Sequence, residues 1–235
     1  MNLSAISSQS GMYQLIELDH APKLASQLGL DLKTEANVDQ IKKLLIKLGQ
    51  ELSQHSSGLI LDPIYSYPIS SHKAANTGIL LRITTLNDEV DPLALPVLIP
   101  NWNVEDIANN YSLAKLEFYY HPQEAKALEK KQLVAEIFDY CDYLDINLLL
   151  KLNIYNPQTE KVQNYAFEEA QLQAVQEFRG MTNILALQDP QSALAAATLT
   201  AELDVPWILS LATGDYQDLK QSLRVCLENG ASGYL

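Results

Sequence analysis

The chain has 235 residues, 47% of them hydrophobic, and carries a formal net charge of −13. The apolar content is ample for a packed core and excludes a disordered chain, and the length suits one large α/β domain or two small ones. Such acidity repels phosphate backbones and anionic lipid, so neither nucleic acid nor a membrane surface is expected as a partner.

The opening residues, MNLSAISSQSG, lack a basic region followed by an apolar run and do not read as a secretory signal. MYQLIEL (12–18) is the first short apolar run and the first predicted strand. Val38, Ile41, Leu44, Leu45, Leu48 and Leu52 then repeat at three and four, the stripe of an amphipathic helix. GLILD (58–62) and GILLRIT (78–84) are the next strands, with too little chain between them for a full helix. Residues 87–102 carry Pro92, Pro96 and Pro100 and read as a long loop before AKLEFYY (114–120). Pro122 is placed to open a helix at its first position, and Leu133, Val134, Ile137, Phe138 and Cys141 supply that helix's stripe.

INLLLKLNIY (146–155) follows, a strand interrupted by a lysine. TNILALQ (182–188), VPWILSLA (205–212) and SGYL (232–235) complete the set. An alanine-rich helix at 193–203 and a stripe at Leu219, Leu223 and Cys226 lie between them, the second stopped by Asn229-Gly230. No apolar run approaches the length of a membrane span. Cys141 and Cys226 both fall on predicted helices, as buried thiols of a reducing cytoplasm would. Trp102 and Trp207 read as packing residues, and His55 and His72 belong to no constellation.

Short runs buried on both faces, separated by helices, imply parallel strands with crossover connections. Eight of them predict a single (β/α)8 barrel over 1–235, and no glycine fingerprint follows the first strand to support a dinucleotide fold. No cofactor is implied, and no metal-ligand spacing, serine–histidine–acid set or phosphate loop is recognisable. The eighth strand ends the chain where a closed barrel normally has a last helix, so either the chain is a fragment or something else covers that edge.

Alternation assigns the polar strand residues to the barrel interior. Lys115, Glu117 and Tyr119 share a face, as do Lys151, Asn153 and Tyr155, Arg82 and Thr84, Ala186 and Gln188, and Glu17 and Asp19. Lys115, Glu117, Arg82, Asp19 and Lys151 are expected to compensate one another. Two readings stand open here: an inert interior salt network, or a cluster that perturbs an amine toward nucleophilic chemistry. Beside them, His20 follows Asp19 at a strand end, His121 follows Tyr119-Tyr120, and Asp62 suits a strand-end turn as well as a ligand.

With the strands lined up, the chain resembles the class I aldolases of the tagatose-1,6-bisphosphate and sulfofructose-phosphate family. GMYQLIELDHAPKL (11–24), SSGLILDP (56–63), LIPNWNVEDI (98–107), AKLEFYYHP (114–122), VPWILSLATG (205–214) and ENGASGYL (228–235) carry the likeness. Lys115 matches the family's fourth-strand lysine. The resemblance implies a (β/α)8 barrel that cleaves ketose phosphates through a Schiff base on a sixth-strand lysine, with a fifth-strand glutamate in acid–base work.

The sequence departs from that pattern. Ala186 stands where the Schiff-base lysine would be, Gln188 where a glutamate follows it, and Lys151 where the fifth-strand glutamate would be. Thr84 matches the third-strand glutamate, and Asp19-His20-Ala21 matches Asp-Gln-Arg. The Gly-Arg phosphate segment would lie after residue 235.

Three functions are weighed. One is a catalytically degenerate aldolase homologue that binds, regulates or assembles. Another is an active aldolase whose nucleophile has moved to Lys151 or Lys115. A barrel enzyme of other chemistry is a third. The candidate ligand-binding residues are Asp19, Asp62, Arg82, Glu117, Gln188 and Ser210. A phosphorylated sugar or other small anion is the expected ligand, and the acidic surface and uncovered edge suit a protein partner or a second copy of the chain.

Overall fold

The computed structural model describes residues 3–85, 91–110, 112–157, 166–211 and 214–235. Eight parallel strands form it: β1 (Tyr13–Glu17), β2 (Gly58–Leu61), β3 (Gly78–Arg82), β4 (Leu113–Tyr120), β5 (Leu148–Ile154), β6 (Ile184–Leu187), β7 (Trp207–Leu209) and β8 (Gly233–Tyr234). They pair in chain order, and β8 returns to β1 to close the barrel. The expected (β/α)8 architecture is therefore present.

The outer layer consists of α1 (Ala21–Gln27), α2 (Glu35–Leu52), α3 (Val104–Asn109), α4 (Ala127–Tyr143), α5 (Phe167–Phe178), α6 (Ala193–Glu202) and α7 (Tyr216–Glu228). The short β2–β3 connection holds only a 3-10 helix, Tyr67–Ser71. Caps fix several helix starts. Asn103 and Asp106 form a reciprocal capping box on α3, Ser192 accepts from the Ala195 amide at 3.1 Å, and Asp215 from the Gln217 amide at 2.8 Å.

Strand alternation divides the core in two. Outward-facing residues such as Leu81, Leu116, Leu150 and Leu185 pack under the helices. Inward-facing Leu15, Ile60, Leu80, Leu149 and Ile208 fill the lower barrel, plugged from below by Ile6 of a 3-10 turn, Leu3–Ile6. That turn lies so close to β3 that a Cβ on Gly78 would sit 2.2 Å from the Ala5 carbonyl oxygen. The polar layer of the interior rests on this apolar floor.

One expectation needs correction. Pro122 does not open α4, which begins at Ala127. Residues 121–126 turn instead, with the Glu124 amide donating to the His121 carbonyl at 3.0 Å and the Gln123 amide to His121 Nδ1 at 3.1 Å. Both bonds draw backbone donors away from helical pairing. In the proline-rich loop, residues 87–90 lie outside the described residues. Its remainder is irregular before α3, except for an antiparallel bridge between Thr84 and Leu98. No helix follows β8 in the described residues, and Ile16 and Tyr234 on the outer faces of β1 and β8 are only partly buried.

Candidate functional site

Above the apolar floor, at the C-terminal ends of the strands, β1, β4 and β5 converge on a charged cluster. Lys115 Nζ donates to Glu17 Oε1 and, at 3.0 Å, to Asp19 Oδ2, and it lies 2.7 Å from Glu117 Oε2. Lys151 Nζ lies 2.8 Å from Glu17 Oε2 and 3.2 Å from Glu117 Oε1. Asn153 donates to Glu117 Oε1 at 3.0 Å. His20 Nε2 stands 3.4 Å from Asp19 and 3.7 Å from Glu17.

Ladder register explains the convergence. Glu117 pairs with Lys151 across β4 and β5, and Lys115 with Arg82 across β3 and β4, so all four side chains enter the same interior. Glu17 reaches both lysines from β1. It is the hub of the cluster, yet sequence reasoning gives it only a face and no role. No strand pattern reveals a contact between β1 and β5 before the barrel has closed.

Burial and charge oppose each other here. Burial pushes the Lys115 amine down, but Asp19, Glu117 and Glu17 outweigh it and hold the amine above its ordinary range. Burial pushes Glu17 up. Lys115, the His20 hydrogen bond and Lys151 outweigh that and hold its carboxyl well below the usual carboxylate range. Glu117 is likewise lowered, burial being outweighed by Lys115 and Lys151. Lys115 is thus a fully buried ammonium, the opposite of the free amine that imine formation requires.

Ala186 is also fully buried, directly beside Lys151 in the ladder, and packs with the apolar floor. Arg82 does not join the cluster as expected. It is 4% exposed, yet its Nε and Nη1 have no hydrogen-bond partner and no carboxylate among the described residues pairs with it. The carboxylates have already been taken by the two lysines.

Asp62 is turned into its own loop, accepting from the Ile64 and Tyr65 amides at 2.8 and 2.7 Å and from Ser66 Oγ at 2.9 Å. Gln188 Oε1 accepts from the Ile154 amide at 2.6 Å. Gln188 and Ser210 line a separate cleft of about 320 Å³ between the ends of β6 and β7 and the start of α7. The structure therefore joins Asp19, Lys115, Glu117 and Lys151, and leaves Asp62, Arg82, Gln188 and Ser210 apart from them.

Glu17, Asp19, His20 and Glu117 bring ligand atoms within 4.8 Å of one another, a spacing that could suit a metal ion. The three carboxylates already surround the Lys115 ammonium, which supplies the countercharge a cation would bring. A second buried cluster lies behind the mouth. Lys130 Nζ donates to the Pro92 and Tyr119 carbonyls at 2.7 and 2.8 Å and lies 2.8 Å from Glu124 Oε1, while Tyr155 donates to Glu124 Oε2. It ties α4 to the loop after β3. Cys141 and Cys226 are buried as expected, and burial pushes both thiols up to about 12. Trp102 and Trp207 pack, each donating its indole N–H, to the Arg82 carbonyl and to Thr200 Oγ1.

No family model matches the chain. It is 24% identical over 159 residues to tagatose 1,6-diphosphate aldolases of Staphylococcus aureus, a match that takes in 66% of this chain and 49% of those proteins. The chain thus spans about half the length of the curated relatives it matches. Among solved structures it is similar to a Schiff-base-forming fructose-1,6-bisphosphate aldolase, with a TM-score of 0.70, 14% identity and coverage of 97% of this chain and 87% of that one. An archaeal fructose 1,6-bisphosphate aldolase gives 0.70 at 15% identity, covering 97% and 86%. The fructose-bisphosphate aldolase of Slackia heliotrinireducens gives 0.69 at 13%, covering 95% and 73%. The resemblance expected from the sequence holds: the chain has aldolase relatives in sequence and aldolase neighbours in fold. Among the described residues no helix is long and apolar enough to cross a membrane.

Proposed function

We propose that this barrel is a catalytically degenerate relative of the class I ketose-bisphosphate aldolases, which holds a small anionic ligand, such as a phosphorylated sugar, without forming a covalent intermediate. One observation carries the reading. By the resemblance, position 186 is where the imine would form, and an alanine packed on the apolar floor stands there. An alanine has no nitrogen to offer, and losing the covalent nucleophile removes most of the rate in such a site.

The charged cluster agrees with this. Both barrel lysines are committed to carboxylates, and a protonated amine has no lone pair with which to attack a carbonyl. The cluster then stabilises a polar interior and sets its field. The same reading assigns the protein to the cytoplasm, where the two buried thiols stay reduced.

A second reading is favoured by the pairing of Lys151 with Ala186. Lys151 projects from the neighbouring strand at the same level, so its amine could approach a carbonyl near the vacated position. In that case Glu117 or Asp19 would move protons.

One experiment separates the two. The protein is incubated with dihydroxyacetone phosphate, reduced with borohydride and weighed intact, with a working Schiff-base aldolase labelled in parallel. The degenerate reading expects no added mass. An adduct mapped to Lys151 or Lys115 overturns it and names the nucleophile.

A further inference from the structure

At the level of the charged cluster the described residues place three cations in the barrel interior, Lys115, Lys151 and Arg82, and three facing carboxylates, Glu17, Asp19 and Glu117. The pairing is unequal. The two ammoniums hold all three carboxylates. The guanidinium holds none, and its Nε and Nη1 are buried without a hydrogen-bond partner. Asp62 ends the neighbouring strand, but its oxygens are spent on the Ile64 and Tyr65 amides and on Ser66.

Arg82 points inward. Leu80, two residues earlier on β3, belongs to the interior cluster and Leu81 to the outer one, and Arg82 is the register partner of inward-facing Lys115. It is the last residue of β3, at the C-terminal end where the barrel opens.

An arginine does not escape such a position by losing its proton. A buried charge without a partner is costly, and each unmade hydrogen bond adds to the cost. The cost falls if the partner is not part of the chain. A guanidinium presents parallel N–H groups in a planar fork, a geometry that matches two oxygens of one phosphate or carboxylate.

We infer that Arg82 is the anchor for an oxyanion group, phosphate or carboxylate, of a small ligand that enters the C-terminal mouth of the barrel. The inference rests on the reading of the barrel as a binding site and adds the residue that recognises the ligand and the group recognised. Lys115 and Lys151 are saturated by their own carboxylates, so recognition of an anion falls to the one interior cation among the described residues that is not. Specificity for an oxyanion over chloride follows from the fork, because a spherical ion satisfies only part of it.

The test uses the whole chain with inorganic phosphate, glycerol 3-phosphate and malonate as probes, and chloride at matched ionic strength as the control. A ligand that binds only the folded state raises the unfolding midpoint as its concentration rises. Wild type is expected to gain stability saturably with at least one oxyanion and not with chloride. Phosphate and malonate in separate arms decide between the phosphate and carboxylate sources. Arg82→Met is expected to lose that gain while keeping or raising the ligand-free midpoint, because it removes an unpaired charge. Arg224→Gln, on the exposed face of α7, should behave as wild type.

A second measurement needs no variant. The arginines are Arg82, Arg179 and Arg224, so three Nε–H signals appear in a nitrogen-15 spectrum. The Arg82 signal is expected to move on addition of the stabilising oxyanion and not of chloride. An equal midpoint gain in Arg82→Met, or an Arg82 signal indifferent to every oxyanion, overturns the inference. Failure of this anchor is distinct from failure of the degenerate reading. A borohydride adduct at Lys151 with an oxyanion-sensitive Arg82 removes the latter and keeps the anchor. No adduct with an insensitive Arg82 does the reverse.

Discussion

Lys151 on β5 and Ala186 on β6 are register partners, and both side chains enter the barrel at one level. Beyond Lys151 lie Glu117 and Glu17, the carboxylates that hold its ammonium. A cation at position 151 and none at 186 is the inverse of what the aldolase resemblance implies for that pair.

Moving the charge back should therefore depend on moving both residues. Ala186→Lys alone puts a second ammonium beside Lys151 and a long side chain into a packed floor, and is expected to cost about 1–3 kcal/mol from overpacking, with repulsion added. Lys151→Glu combined with Ala186→Lys lowers the net charge by one, but it gives Glu17 and Glu117 a cation again. The double variant should be more stable than the two single losses sum to, and the amine introduced at position 186 should be trapped with dihydroxyacetone phosphate under borohydride. Midpoints of the four proteins and their intact masses check both parts.

Lys115→Met leaves Glu17 and Glu117 with Lys151, and Asp19 with only the His20 ring beside it. Removing one partner of a buried ion pair typically costs about 3–5 kcal/mol, and a loss of that size is expected at neutral pH. The cost should shrink on acidification, because the stranded carboxylates have raised affinity for protons and protonation relieves them. Urea unfolding of wild type and variant at pH 7 and pH 5 gives the comparison.

The wild-type protein should behave in the opposite way in acid. Glu17 and Glu117 are held below the usual carboxylate range in the folded state. A lowered folded-state pKa stabilises fully above the unfolded value, about 4.3 for glutamate, and that contribution is lost as pH falls toward the folded value. Glu117→Gln removes its share, so the acid limb of stability against pH should be shallower in the variant. Each tenfold difference in proton affinity between the folded and unfolded carboxylate is worth about 1.4 kcal/mol. A pH series of unfolding curves between about 5 and 2 measures the slope.

Closure of the barrel predicts a backbone effect. A Cβ on Gly233 would sit 1.9 Å from the Tyr13 carbonyl oxygen, within the seam that joins β8 to β1. Gly233→Ala is expected to lower the unfolding midpoint by at least about 5 °C, roughly 2 kcal/mol for a chain of this size. Calorimetry would detect it, and an unchanged midpoint would show that the seam can shift to admit a methyl group.

Strand positions are legible in the sequence because buried parallel strands read as short apolar runs, and interior faces follow from alternation. That is enough to place Lys115, Glu117, Lys151 and Asp19 together. Alternation gives a face but no distance across the barrel, so it does not show that Glu17 binds both lysines or that Arg82 is left out. The start of α4 is misplaced by sequence reasoning because Pro122 satisfies a helix rule, whereas the side chain of His121 diverts the amide that follows. Lys130 is inconspicuous within a helical stripe, since nothing in its neighbourhood of sequence announces that its ammonium reaches the Pro92 carbonyl.

The seam between β1 and β8 is the most distant in sequence. Two register pairs, Tyr13 with Gly233 and Gln14 with Tyr234, hold strands whose connection runs through all the others. Neighbouring strands elsewhere follow one another in the chain, so they can assemble in sequence, whereas this pair must wait until the sheet has curled. Glu17 sits just past the seam, and its bonds to Lys115 and Lys151 span the interior from one side of it. The polar cluster thus acts as a late-forming latch: it ties β1 to strands in the middle of the chain, and amide exchange should report the fastest opening of the sheet at Tyr13 and Tyr234.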